Sequence, residues 1–184
     1  MIVVSFYTVN TPYQTEILNL RRSLAKLHMV SHMKPVESRG SWAQNCSIKP
    51  EIILQALETY PEDILYLDAD AEVLSYPKYF ETMPGDIGMH YKDGRELLNG
   101  TMFIRNNPAS RSLISKWAEV QGNNVDQMDN HVLQKVIKDH AKELGCTVTD
   151  IPPQYCQIFD LMADCGEPVI RHNQASRRFK RLVR

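Results

Sequence analysis

No stretch of the 184-residue sequence approaches the ~20 consecutive apolar residues of a membrane span. Met1-Ile-Val-Val lacks the basic leader and apolar run of a secretion signal. Both absences lead to the expectation of a soluble, cytoplasmic protein. Cysteine is scarce: Cys46, Cys146, Cys156 and Cys165 show no Cys-x-x-Cys spacing, which excludes a zinc ribbon or a thioredoxin-type motif and predicts thiols kept in a reducing compartment. Charge of one sign is lacking too. With 21 Lys and Arg against 22 Asp and Glu, the formal net charge is -1, so the chain as a whole makes no case for a nucleic-acid or membrane partner. What is present is 43% hydrophobic residues, enough for one core and, at this length, for one compact domain spanning 1–184.

Strand and helix signals alternate along the chain. Ile2 to Thr8 is rich in β-branched and aromatic residues and reads as a strand. Thr11-Pro12 then opens a helix whose Ile17, Leu20, Leu24 and Leu27 form one apolar stripe. Residues 29 to 36 predict a second strand, followed by a polar loop, Glu37-Ser38-Arg39-Gly40-Ser41-Trp42, and a helix from Lys49-Pro50 with Ile53, Leu54 and Leu57 buried. Further strands are predicted at Ile87 to Tyr91, Leu97 to Arg105, Thr147 to Ile151, Tyr155 to Phe159 and Pro168 to Arg171. Asn107-Pro108 caps a helix whose stripe places Trp117 in the core, and Val125 to His131 leads into another. The order is that of an α/β domain.

The stretch Ile64-Leu-Tyr-Leu-Asp-Ala-Asp-Ala-Glu-Val-Leu74 stands out. Ile64 to Leu67 has the apolar composition of a strand covered on both faces, and Asp68 and Asp70 follow at once, where open α/β sheets gather ligands. Strand alternation predicts that both carboxylates project to one side. Unpaired, they would repel until one took a proton; a divalent cation, Mn²⁺ or Mg²⁺, relieves that repulsion and suits a diphosphate. Triplets of this type also occur by composition alone, as solvated turns or caps.

Other candidates have an ordinary reading beside the functional one. Tyr7 and Thr8, at the end of the first strand, suit a base or ribose, or are plain strand-end residues. Arg39 offers forked donors for a phosphate or a carbonyl, or is a solvated loop arginine. Lys49, at a helix start, is placed to meet an anion. Asn99-Gly100 enters a strand with a glycine that permits close backbone approach. Asp126-Gln127 is the acid and amide pair that sugar hydroxyls call for, whereas Asp129 fits a helix dipole without any function. His172 ends a strand, and residues 171–184 form a basic segment in which cations such as Arg177 and Arg178 could neutralise a diphosphate.

Taken in order, these motifs resemble the nucleotide-diphospho-sugar transferases of the glycosyltransferase-A fold, and are similar to the glycosyltransferase family 8 type. The resemblance implies a single Rossmann-like domain with a mostly parallel central sheet flanked by helices. It implies a nucleoside contact at Tyr7-Thr8, nucleotide contacts from Arg39 or Lys49 and from Asp68-Ala69, and a metal held by Asp68, Asp70 and His172. Asn99, Gly100, Asp126 and Gln127 would lie beside the donor sugar, the last two with catalytic roles, and Ser176, Arg177 and Arg178 would hold the diphosphate. A nucleoside-diphosphate sugar would be the donor. The acceptor is left unassigned; a hydroxyl on a glycan, a protein or a modified DNA base would serve. The pattern departs from the family where Asn99 meets Gly100 without an intervening serine, and the chain is too short for the acceptor-binding additions of larger members. Two rival expectations are a sugar-phosphate nucleotidyltransferase, disfavoured because Thr8 to Pro12 is neither glycine-rich nor basic, and a noncatalytic nucleotide- or nucleic-acid-binding module.

Overall fold

The computed structural model describes residues 1–179; Lys180 to Arg184, the end of the predicted basic segment, lie outside the described residues. The elements in chain order are β1 (Ile2–Thr8), α1 (Tyr13–Lys26), β2 (Ser31–Val36), α2 (Trp42–Cys46), α3 (Lys49–Thr59), β3 (Ile64–Leu67) and β4 (Ala71–Val73). They continue with α4 (Tyr79–Thr82), β5 (Ile87–Lys92), β6 (Glu96–Ile104), α5 (Pro108–Gly122), α6 (Asp129–His140), β7 (Val148–Asp150), β8 (Gln157–Ile158), β9 (Ile170–His172) and α7 (Ala175–Phe179).

Six strands form the central sheet in the order β2-β1-β3-β6-β5-β7. β1 runs parallel to β2 and β3, and β5 parallel to β7, while β6 is antiparallel to both its neighbours. The apolar run of β3 has the meaning its composition suggests, because all four of its residues are buried. Alternation sends Ile64 and Tyr66 to one face, where Ile53, Leu57, Leu113, Trp117 and Leu133 of α3, α5 and α6 cover them. Leu65 and Leu67 face the other way, onto Ile17, Leu20, Leu24 and Phe80 of α1 and α4. A sheet covered on both faces is the expected α/β architecture.

Three local features differ from the sequence reading. The strand stops at Leu67, and residues 68 to 70 form a turn instead of continuing it, closed by the Ala71 N–H on the Asp68 carbonyl. Strand alternation therefore does not set the directions of Asp68 and Asp70. The turn does, because it hands the chain to β4, which belongs to a second sheet of order β4-β9-β8. Ala71 pairs with His172 there, a register that short, unpatterned strands did not reveal. The polar loop after β2 also ends sooner than predicted. Ser41 and Gln44 form a reciprocal capping box that starts α2 at Trp42, the arrangement that satisfies orphan N–H groups at a helix start. No disulfide joins the four cysteines, and no helix among the described residues is long and apolar enough to cross a membrane.

Candidate active site

The carboxyl end of β3 opens into a cavity of about 390 Å³, a size typical of small-molecule sites. Its walls come from far-separated parts of the chain: the end of β1, α2 and the start of α3, the turn after β3, the β5–β6 hairpin, the start of α6, and the β9–α7 segment. Tyr7, Thr8, Lys49, Asp68, Ala69, Asp70, Asn99, Gly100, His172, Ser176 and Arg177 all line it. The site residues drawn from those separate motifs thus meet in one place.

At its base sits a buried ammonium. Lys49 is the first residue of α3, but its side chain turns inward, is only 4% exposed, and places Nζ 2.8 Å from Asp129 Oδ2 and 3.0 Å from Asp68 Oδ1. Asn99 joins the group: its Oδ1 lies 3.3 Å from Lys49 Nζ and its amide donates to Asp129 Oδ2 at 2.8 Å. Burial alone would depress the Lys49 pKa; the carboxylates of Asp129 and then Asp68 overcome that and raise it, so the group stays charged. The Tyr66 hydroxyl donates to Asp68 Oδ1 at 2.9 Å, while the Lys49 ammonium stands 5.3 Å above the Tyr66 ring.

Beside this network, Asp68 and His172 flank Gly100, and Asp70 stands next to His172. A Cβ on Gly100 would stand 3.3 Å from Asp68 Oδ2 and 3.2 Å from His172 Nδ1. Both atoms therefore face a space that a side chain at position 100 would fill. His172 Nδ1 is 3.5 Å from Asp70 Oδ1, and its Nε2 is 2.8 Å from Thr101 Oγ1, which fixes the ring orientation. Two carboxylates and an imidazole are a donor set whose chemistry suits Mn²⁺. Among the described residues, no three such groups stand at the spacing of a metal's ligands. Asp70 also accepts from the Ala175 N–H at 2.8 Å, which ties the acid to the start of α7.

The imidazole of His172 is fully enclosed, and burial would lower its pKa, but hydrogen bonds with Asp70 and Cys156 push it up to about 10. The sign follows from linkage: a raised folded-state pKa gives stability that is complete below the unfolded value near 6.5 and is lost as pH rises toward about 10. Metal-free protein is accordingly expected to lose denaturant resistance between those pH values, with His172→Gln showing a flatter profile in urea titrations across that range. Asp70 moves the other way. Burial raises it, but the His172 hydrogen bond and charge, with the Ala175 N–H, bring it below the usual carboxylate range.

Not every sequence candidate reaches the cavity. Arg39 is held by Glu51 at 2.7 Å, with both side chains half exposed, and is not in the wall. Asp126 and Gln127 are exposed and also absent from it; Asp126 accepts from Gln44 and Gln127 donates to Asn124. The acid and amide that do line the cavity are Asp129 and Asn130, three positions on. Arg178 is turned away onto the buried Glu16 at 2.9 Å, and Arg177, though in the wall, pairs with Asp160.

Some wall residues carried no motif. Phe6, Tyr13 and Trp42 line the cavity near Tyr7 and Thr8 in the fold. A hydrogen bond with Trp42 partly offsets the burial that raises the Tyr13 pKa. Trp42, as the large aromatic in a polar loop, was the one available signal. Asn130 lines the cavity, and its Oδ1 is buried without a hydrogen-bond partner. Nothing in the sequence marked it.

No protein-family model and no curated protein sequence matches the chain. Solved structures do. A glycosyltransferase involved in the glycosylation of the major capsid of PBCV-1 superposes with a TM-score of 0.73 at 14% identity, covering 98% of each chain. The galactosyltransferase LgtC, in complex with donor and acceptor sugar analogs, gives 0.59 at 13% identity over 94% of this chain and 86% of its own. The glycosyltransferase GlyE of Streptococcus pneumoniae TIGR4 gives 0.59 at 16% identity; there the match covers 93% of this chain and 54% of the larger one. Likeness at such identities bears on architecture, and with the sheet order and the Asp-x-Asp turn described above it establishes that this chain has the glycosyltransferase-A fold.

Proposed function

We propose that the protein is a metal-dependent glycosyltransferase that moves a sugar from a nucleoside-diphosphate sugar to a hydroxyl acceptor with retention at the anomeric carbon. The observation that carries this reading is that Asp68, Asp70 and His172, from separate parts of the chain, line one cavity whose wall also includes aromatics. The glycosyltransferase neighbours support it, LgtC in particular, being a galactosyltransferase with donor and acceptor sugar analogs bound.

In this reading Tyr7, Thr8, Tyr13 and Trp42 receive the nucleoside, whose flat base matches aromatic walls. Ser176 and Arg177 face the diphosphate, and Arg177 exchanges Asp160 for it. Arg178 acts at one remove, anchoring α7 to Glu16. Asp68, Asp70 and His172 would hold Mn²⁺ or Mg²⁺. Such a cation supplies positive charge beside the departing diphosphate. Asn99, Gly100 and Asn130 line the sugar's place.

Transfer breaks the anomeric C–O bond, its electron pair leaving with the diphosphate, while the acceptor oxygen bonds to the anomeric carbon and gives its proton to the departing phosphate oxygen. An inverting enzyme needs a carboxylate base for that proton. Asp129 is ill suited, being neutralised by Lys49 and Asn99, and Asp126 stands outside the cavity. Neither acid that the sequence offered for that role is placed for it, in keeping with retention. A nucleic-acid-binding role draws little support from Arg177 and Arg178, since both are internally paired.

The test is thermal stabilisation by a panel of nucleoside diphosphates and nucleotide sugars, with and without Mn²⁺. Ligand that binds only the native state raises the melting temperature by mass action. The expected result is a shift that needs both nucleotide and metal and disappears in Asp70→Asn. No shift with any nucleotide well above ~1 mM, where weak sites fill, overturns the reading.

A further inference from the structure

The described surface leaves few large apolar side chains half exposed, and two of them, Phe159 at 49% and Leu161 at 51%, stand on one turn after β8. The turn is well anchored. The N–H groups of Leu161 and Met162 both bond to the Ile158 carbonyl, and the Phe159 N–H donates to the His172 carbonyl at 3.2 Å. It is thereby fastened to the strand end that carries His172; Leu161 forms part of the cavity wall, and Phe159, two residues earlier, is not among the wall residues. Leu98 and Met128, both partly exposed, line the same cavity, as do Lys92 and Glu96 from the paired ends of the β5–β6 hairpin.

We propose that this rim is an acceptor subsite for the pyranose ring of a carbohydrate, with Phe159 and Leu161 covering the ring's C–H face and Lys92 and Glu96 bonding its hydroxyls. The proposal rests on the glycosyl-transfer reading and names its acceptor class. A pyranose has an apolar face and a belt of hydroxyls, and an aromatic and an aliphatic side chain beside one charged donor and one charged acceptor match that division. An alkyl acceptor would desolvate Lys92 and Glu96 without pairing them. A nucleic-acid acceptor meets the wrong charge, because the continuation of the same turn exposes Asp164 and Glu167, which repel phosphates.

The experiment compares wild type, Phe159→Ala, Phe159→Trp and Leu161→Ala. All three variants change exposed positions that the core does not use. Two readouts are taken: hydrolysis of UDP-glucose, UDP-galactose and UDP-xylose without acceptor, and transfer to methyl glycosides and short oligosaccharides of glucose, galactose and xylose. Each alanine variant is expected to raise the acceptor KM on the order of tenfold, and Phe159→Trp to restore it, while donor hydrolysis stays within about twofold. An unchanged acceptor KM in both alanine variants overturns the subsite, as does turnover of donor with no glycoside accepted but with a tyrosyl peptide or a hydroxymethyl nucleoside glycosylated. A wild type that neither hydrolyses donor nor is stabilised by any nucleotide removes the glycosyl-transfer reading itself, and the subsite with it.

Discussion

Lys49→Met should lower the unfolding free energy by about 3–5 kcal/mol, the usual cost of removing one partner from a buried ion pair. The cost is unequal between its two carboxylates. Asp68 is 38% exposed and regains water, whereas Asp129 is 4% exposed and keeps only the Asn99 amide. A buried carboxylate in that position must take up a proton or draw water into the core. Removing the second charge should therefore recover much of the loss: Lys49→Met/Asp129→Asn is expected to be clearly more stable than Lys49→Met alone. A double-mutant cycle by urea denaturation measures the coupling directly. A loss below ~1 kcal/mol for the single variant, in the range of surface pairs, would show that the ammonium is solvated and the network is not a buried one.

Gly100→Ala is expected to abolish nucleotide- and metal-dependent stabilisation and to reduce transfer roughly a hundredfold, the scale on which ångström displacements act. The added Cβ would stand 2.9 Å from His172 Cε1, closer than real Cβ contacts come. His172 has little room to yield, being buried and held between Asp70 and Thr101. Overpacking of this kind costs about 1–3 kcal/mol, so the protein should remain folded while its site is filled. Gly122→Ala is the control, since a Cβ there meets nothing within 4 Å. If Gly100→Ala retained full metal-dependent stabilisation, the space over Gly100 would not be where a cation sits.

The residues behind these two effects differ in how legible they are in the chain. The apolar run of β3 and the stripes of α1 and α3 point to the layered α/β fold, because burial on two faces or one leaves a periodic trace in composition. The Asp68-x-Asp70 turn was visible for the same reason, polarity breaking in at the end of a buried strand. Lys49 was visible only as a cation at a helix start, with no indication that its side chain turns inward. Asp129 looked like an ordinary first-turn acid, yet burial makes it the ammonium's nearest partner. The pairing of Ala71 with His172 across a hundred residues had no local signal either, since three-residue strands are too short to show a period.

By itself the sequence determined the elements, their order and the residue types available for chemistry, since these depend on neighbours a few positions apart. Tertiary structure decided which of those residues share a cavity. It kept Tyr7, Lys49, Asp68, Asp70, Asn99 and His172, set Asp129 and Asn130 in the wall instead of Asp126 and Gln127, and turned Arg39 and Arg178 to carboxylates elsewhere. The physical reason is that a side chain's partner is chosen by distance in space. Buried charges such as Lys49 must find opposite charges wherever the packed layers bring them, and chain order does not record where that is.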